Sequence, residues 1–342
     1  MKRRFWRSDG FVGLAISLVF LLASGTALLE SLERSVYDWG VEAAQAEPSE
    51  RVAVIAIDDE SIANLGRWPW PRDRHAALID KLAGAGADAI GYTVLFLEPQ
   101  TDPGLRHIRD ALSYYEDSGL GDLPAAMSDE ALAERARQQL GGLAGRLSEA
   151  ERELDTDRQL ARSLAAADNV VLGMPFRLGV PRGKPDEPLP SFVQANRATS
   201  VARSNGPRRR YLGLPAKSAT PPIEMLGQAA SGIGHLNFNP DIDGSVRSEA
   251  LVLDYFGDYY PSMSLMLAAK SLNLTTDDIF LEPGRGVALG NLEIGTNSVF
   301  EMKTFFYDEH DSGDRPFAVD SFHAVQSGQT PRSHPSTPRP HR

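Results

Sequence analysis

Residues Gly10 to Leu29 (GFVGLAISLVFLLASGTALL) hold no charged side chain. Twenty such positions wound as a helix span about 30 Å, the hydrocarbon thickness of a bilayer. Lys2, Arg3, Arg4 and Arg7 precede the run, and Glu30, Glu33 and Asp38 are among the first charges after it. The positive-inside rule would then hold residues 1–9 in the cytoplasm as a basic tail and send the rest outward. Two other readings stay open. A signal peptide cleaved near Ala23-Ser24-Gly25 has the same basic start, and a buried core helix is the third. The first two place the body of the chain outside the cytoplasm, in a single-pass arrangement on the membrane if the anchor is retained.

Beyond the run, Glu30 to Ala46 keeps helical spacing through Leu32, Val36 and Trp39, and Glu47-Pro48-Ser49 should end it. Residues 30–50 are expected to be a stalk and linker. The remainder is large enough for a folded core, at 42% hydrophobic and 24% charged overall. A formal charge of −11 speaks against binding nucleic acid through phosphates, and the absence of cysteine excludes disulfides, thiolate metal sites and cysteine nucleophiles.

Arg51 to Ile57 has the composition of a strand buried on both faces. Asp73 is placed to cap a helix from about Arg74 to Ala85, and Asp88 to Phe96 suits a second strand. The three form a βαβ unit with its strands parallel. A helix at Thr156–Ala167 and a strand at Asn169–Met174 follow a polar insertion over residues 105–155. The middle of that insertion, about Asp129 to Leu154, is helical with a short leucine seam that invites packing on the domain or a dimer contact. Pro181 to Pro222, with Arg208-Arg209-Arg210, is expected to be a long exposed loop. Gly232–Phe238 and Val246–Leu253 suit two strands of a hairpin, Tyr260–Leu272 a helix, and 287–289, 292–294 and 299–306 short strands. Residues 327–342 lack apolar spacing and should be disordered. The predicted class is α/β: a mixed, largely parallel sheet flanked by helices, preceded by one transmembrane helix and its stalk.

No phosphate-binding loop, zinc-protease pair or serine elbow is present. Asn239-x-Asp241-x-Asp243-Gly244 imitates half of a calcium loop, but Ala250 stands where the bidentate carboxylate belongs, and a turn explains it better. Asp58, Asp59 and Glu60 follow the first strand, where open α/β sheets place their sites. With Glu98, His75 and His235 they offer metal-ligand chemistry; alternatively Asp59 or Ser61 caps a short helix. Arg67-Trp68-Pro69-Trp70-Pro71-Arg72 pairs two indoles with guanidiniums, fit either to lid a pocket by cation–π stacking or to plug the end of the sheet.

Val52 to Pro99, containing DDESIANLGRWPWPRDRHAALIDKLAGAGADAIGYTVLFLEP, resembles the opening of the second type of CHASE domain. The resemblance recurs at Thr156–Gly173, Gly232–Leu253 and Tyr259–Ala269, and Phe317–Pro331 is similar to the family's late segment. It implies an extracytoplasmic sensor, over residues 51–326, of the kind attached to bacterial cyclases, histidine kinases and serine/threonine kinases. Thr93 stands where the family usually has aspartate, the insertion over 105–155 is longer than expected, and the family's closing strand, membrane helices and output domain do not follow, as in a receptor cut short.

The function expected is therefore a non-catalytic sensor that binds an unidentified small molecule and pairs with itself or a full-length receptor, with no cofactor. Its candidate pocket residues are Asp58, Asp59, Arg67, Trp70, Arg72, Glu98, His235, Asp243 and Arg247. A metal-dependent periplasmic hydrolase using Asp58, Asp59, Glu98 and His235 is the alternative enzyme reading. A membrane-anchored dimerisation module is the third.

Overall fold

The computed structural model describes residues 9–23, 27–44, 47–100, 102–185, 187–202, 212–307 and 315–328. The expected basic tail up to Arg7, the small residues Ser24 and Gly25, Arg208 to Arg210, and the tail beyond 328 lie outside them. Two units divide the chain, residues 1–54 with 305–319 and 332–342, and residues 55–304 with 320–331.

The first unit contains helices α1 (Asp9–Ala23) and α2 (Ala27–Ala43). Residues 24–26 lie outside the described set, so the charge-free run is described as the part of α1 from Gly10 to Ala23 and the opening of α2. Among the described residues no helix is long and apolar enough to cross a membrane. α2 has the amphipathic spacing expected of the stalk, and Leu32, Val36 and Trp39 along it are exposed.

Strand β1 (Ala53–Ala56), helices α3 (Asp59–Leu65) and α4 (Arg72–Gly84) and strand β2 (Ile90–Tyr92) come next. A helical hairpin, α5 (Pro103–Asp117) and α6 (Glu130–Leu154), precedes α7 (Thr156–Ala167), β3 (Val170–Met174) and β4 (Phe176–Leu178). Then come α8 (Ser191–Gln194), β5 (Ser200–Val201), β6 (Leu214–Ala219), α9 (Glu224–Ala229) and β7 (Gly232–His235). Strands β8 (Ser248–Ala250), β9 (Val252–Tyr255) and β10 (Asp258–Pro261) lead to α10 (Met263–Ser271). The series closes with β11 (Ile279–Glu282), β12 (Gly286–Leu289), β13 (Leu292–Gly295), β14 (Glu301–Lys303), β15 (Ala318–Ser321) and α11 (Phe322–Gln326).

The class is mixed α/β, but among the described residues the single largely parallel sheet is replaced by five small ones. The β2-β3-β7 sheet is wholly parallel, with Tyr92 opposite Leu172 and Met174 opposite His235. β10-β9-β6-β4 and β13-β12-β11-β5 are mixed, each with one parallel pair. β1 pairs with β15 rather than with β2, so the predicted parallel βαβ pair is not formed. Nor is β1 buried on both faces: a two-stranded ribbon has no second layer to cover it, and Val52 and Val54 are about half exposed. The expected hairpin between Gly232 and Leu253 is also absent, because β7 joins the parallel sheet while β8 pairs with β14 and β9 with β10. The supposed long loop from Pro181 to Pro222 carries α8, β5 and β6, with Val193 and Ala216 fully buried.

The parallel sheet shows how the core is built. Alternation sends Ile90, Tyr92, Val170 and Leu172 to one face, where they pack with Ile79 of α4 and Leu160 and Leu164 of α7. Gly91, Gly173 and Gly234 lie on three adjacent strands and clear the way for other groups. A Cβ on Gly234 would sit 2.5 Å from the Met263 Cα, and one on Gly91 2.6 Å from a Leu267 methyl, so α10 rests almost on the backbone. Helix α7 starts at Asp155, whose side chain accepts from the Arg158 amide at 3.1 Å. Asp73 does not cap α4. Pro71 occupies that position, and the Asp73 Oδ1 is buried without a partner. The leucine seam of α6 is met in part by α5, with Leu105 buried and Leu154 half-buried, while Leu143 of the seam is exposed.

Candidate functional site

The nominated residues fall into two groups. Asp58 is itself the cap of α3, accepting from the Ser61 amide at 2.9 Å and the Ser61 hydroxyl at 2.6 Å. Neither Asp59 nor Ser61 takes that role. The Ser321 hydroxyl also donates to Asp58, at 2.9 Å, and the His323 amide donates to Ser61 Oγ at 3.0 Å. This knot ties the late segment to the start of the unit. The Ser61 hydroxyl, followed by the other hydrogen bonds, holds the Asp58 carboxyl below its usual range. Asp59 is exposed in the first turn, where its charge complements the helix dipole.

Arg72 is buried at the start of α4 and pairs with the buried Asp157 of α7. Its second nitrogen donates to the Glu98 carbonyl, so Glu98 contributes its backbone while its side chain is exposed. Asp157 also accepts from the Gln100 amide at 3.0 Å, and Gln100 Oε1 accepts from the Arg72 amide at 2.9 Å and from Thr156 Oγ1 at 2.9 Å. The guanidinium lies over the ring of Phe96, 5.3 Å from its centroid, not over either indole.

Of the two roles open to the tryptophan loop, the structure takes the plug. Trp70 is buried and donates from its indole nitrogen to the Gly66 carbonyl at 2.8 Å. Its ring meets Phe322 at 4.8 Å and Trp68 at 5.2 Å. Arg67 is exposed. At the centre of the aromatic group is His75, whose Nδ1 is 2.7 Å from the Tyr92 hydroxyl. Burial, then the charge of Arg72, depresses His75 to about 4.

The second group begins at the end of β7. His235 is buried beside Phe176, with its Nδ1 accepting from the Asn237 amide at 3.3 Å, and burial lowers it to about 3. Arg247 is buried and bridges Asp241 at 2.9 Å and Asp243 at 2.9 Å. The calcium lookalike is thus a turn closed by a guanidinium, with the Gly244 amide donating to the Asp241 carbonyl at 2.8 Å and Gly244 at φ +85°. Among the described residues no cluster of three or more His, Asp or Glu is arranged to hold a metal ion. The ligand set needed by the hydrolase reading is therefore not assembled from Asp58, Asp59, Glu98 and His235.

A cavity of about 300 Å³ opens elsewhere, between α8, α9 and α10 at the amino end of β7. That volume is at the small end of the range for metabolite pockets. Phe192, Met266 and Leu274 supply its apolar wall, and Ser231, Lys270 and Thr276 its polar groups. None of the nine nominated residues lines it. Its lining comes from segments spread over some eighty positions. Lys270, in the last turn of an amphipathic helix, carried the single sequence signal: a cation on a mainly apolar segment.

The sequence model of the CHASE2 domain matches residues 12–327. The chain belongs to the CHASE2 family. It is a sensor domain of the kind found in signalling receptors. No curated protein and no solved structure matches the chain significantly. Within this CHASE2 domain, Thr93 is exposed just past β2, beside none of the cavity-lining segments in sequence. The segment expected to be an insertion forms the hairpin of α5 and α6, tied to the body by Arg109 to Asp155 at 2.6 Å.

Proposed function

We propose that this chain is the extracytoplasmic part of a membrane-bound receptor, binding a small molecule in the cavity beside α10 and catalysing nothing itself. The observation that carries this reading is family membership over residues 12–327, since CHASE2 domains are extracytoplasmic sensors of membrane receptors. Anchoring is supported by the charge-free stretch Gly10–Leu29 with basic residues ahead of it. The absence of catalysis is supported by the way Asp58, Arg72, Asp243 and Arg247 are occupied with one another or with backbone groups. Binding would act by favouring one of two arrangements of the sensor and its stalk, to an extent set by the difference in ligand affinity between them. The partner is a second copy or a complete receptor carrying a cyclase or kinase output.

A phosphatase reporter that works only outside the cytoplasm, fused after Pro48, tests the topology. Activity in intact cells is expected; a reporter active only as a cytoplasmic fusion would reverse the assignment. The DNA following the codon for Arg342 tests whether an output domain is encoded alongside.

A further inference from the structure

We infer that the cavity between α8, α9 and α10 takes a small organic monocarboxylate, with Lys270 as its counter-ion and an apolar body lying against Phe192, Met266 and Leu274. The inference rests on the ligand-binding reading above and specifies its chemistry.

Lys270 is, among the described residues, the one charged side chain lining the cavity, and it is half-buried. Among the described residues no carboxylate pairs with it. The nearest acids in sequence are otherwise engaged. Asp278 accepts from the amide of Thr275 at 2.8 Å and from its hydroxyl at 3.1 Å, and Asp277 accepts from Thr199 at 3.5 Å. Glu224, one turn from Gln228 of the lining, takes that side chain's amide at 2.9 Å. A partly desolvated ammonium without a counter-charge favours an anion beside it.

One residue of the wall carries a hydroxyl that is enclosed behind it. Ser231 lines the cavity, and its Oγ is buried without a hydrogen-bond partner although its backbone amide is paired with the Val170 carbonyl at 3.0 Å. One cation and a few neutral polar groups balance a single negative charge and fall short of a phosphate dianion. The remaining wall is apolar and tightly set: a Cβ on Gly227 would lie 2.3 Å from the Phe192 ring, which fixes that ring as a surface for the ligand body.

Phenylacetate is a probe of this chemistry, with phenylacetamide as its neutral isostere and inorganic phosphate as an anion without an apolar body. The full chain in non-ionic detergent is titrated calorimetrically and by thermal unfolding. Phenylacetate should bind and raise the unfolding midpoint, while the amide and phosphate at equal concentration should do neither. Lys270→Gln should weaken phenylacetate about tenfold, the worth of one charge-assisted hydrogen bond. Ala195→Trp, which fills the mouth from an exposed position, should abolish binding with the unfolding midpoint in buffer retained. Equal affinity for the acid and the amide, indifference to Lys270→Gln, or no binding of phenylacetate would each overturn the inference. The reporter assay reads topology alone, so a negative titration with an active external reporter removes the carboxylate and leaves the receptor, and the converse result does the opposite.

Discussion

Arg72 links three separate segments of this fold. It joins the start of α4 to the start of α7 through Asp157 and to the chain leaving β2 through the Glu98 carbonyl. Removing one partner of a buried ion pair leaves the other charge without solvent or counter-ion, at a cost of about 3–5 kcal/mol. Arg72→Met should lower unfolding stability by that amount in a urea titration, and Arg72→Met with Asp157→Leu should recover much of the loss. A ligand role alone would leave stability unmoved. The sequence marked this position correctly as unusual but not its task. An arginine next to two tryptophans reads as a stacking group, and the carboxylate that claims it is 85 residues away. The same limit applies to Trp70, whose partner Phe322 is even more distant in sequence.

At the scale of elements, α6 was recognisable because its cap and periodicity are local. Asp129 accepts from the amides of Ala131 and Leu132 at 2.9 and 3.0 Å, as an aspartate before a helical run should. Gly141, Gly142 and Gly145 interrupt that run, and a Cβ on any of them would meet nothing within 4 Å. Each Gly→Ala change should therefore stabilise α6 by about 0.5–1 kcal/mol, measurable as slower amide exchange along the helix and a higher midpoint of unfolding. A loss of stability instead would show that these glycines serve a close contact with another molecule. Strand pairing was less legible than helix position. β1 and β7 were correctly placed as strands, yet their partners were misassigned, since a short apolar run has the same composition whether β2, β3 or β15 lies beside it.

Taken whole, the molecule buries two neutral histidines in separate clusters, His75 among the aromatic rings and His235 beside Phe176. Their values of about 4 and about 3 lie below the 6.5 of an unfolded histidine, so the unfolded chain takes up protons first as pH falls. Stability should hold above about pH 7 and decline from about 6.5 downward. At pH 5 the two together account for about 4 kcal/mol, from 1.36 kcal/mol per unit over 1.5 units for each. Asp58, whose carboxyl is held low, adds a loss in the same direction only at lower pH, while Asp254, raised by burial, works in the opposite direction. Urea titrations from pH 8 to pH 5 check this, and His75→Gln should flatten part of the slope. A profile flat to pH 5 would mean that neither ring is buried as described.

What the sequence determined by itself was whatever depends on neighbours a few residues away: the helices α4, α6 and α7 to within a few positions, the strand at Val170–Met174, the apolar amino-terminal run, and the family resemblance carried by contiguous motifs. Tertiary structure alone decided the pairing of β1 with β15, the plugging of the core by Trp70, the capture of Arg72 by Asp157 and the position of the cavity beside Lys270. Each of these joins segments tens to hundreds of residues apart. The side chains involved have several chemically acceptable partners, and only the packing of the whole core selects one of them.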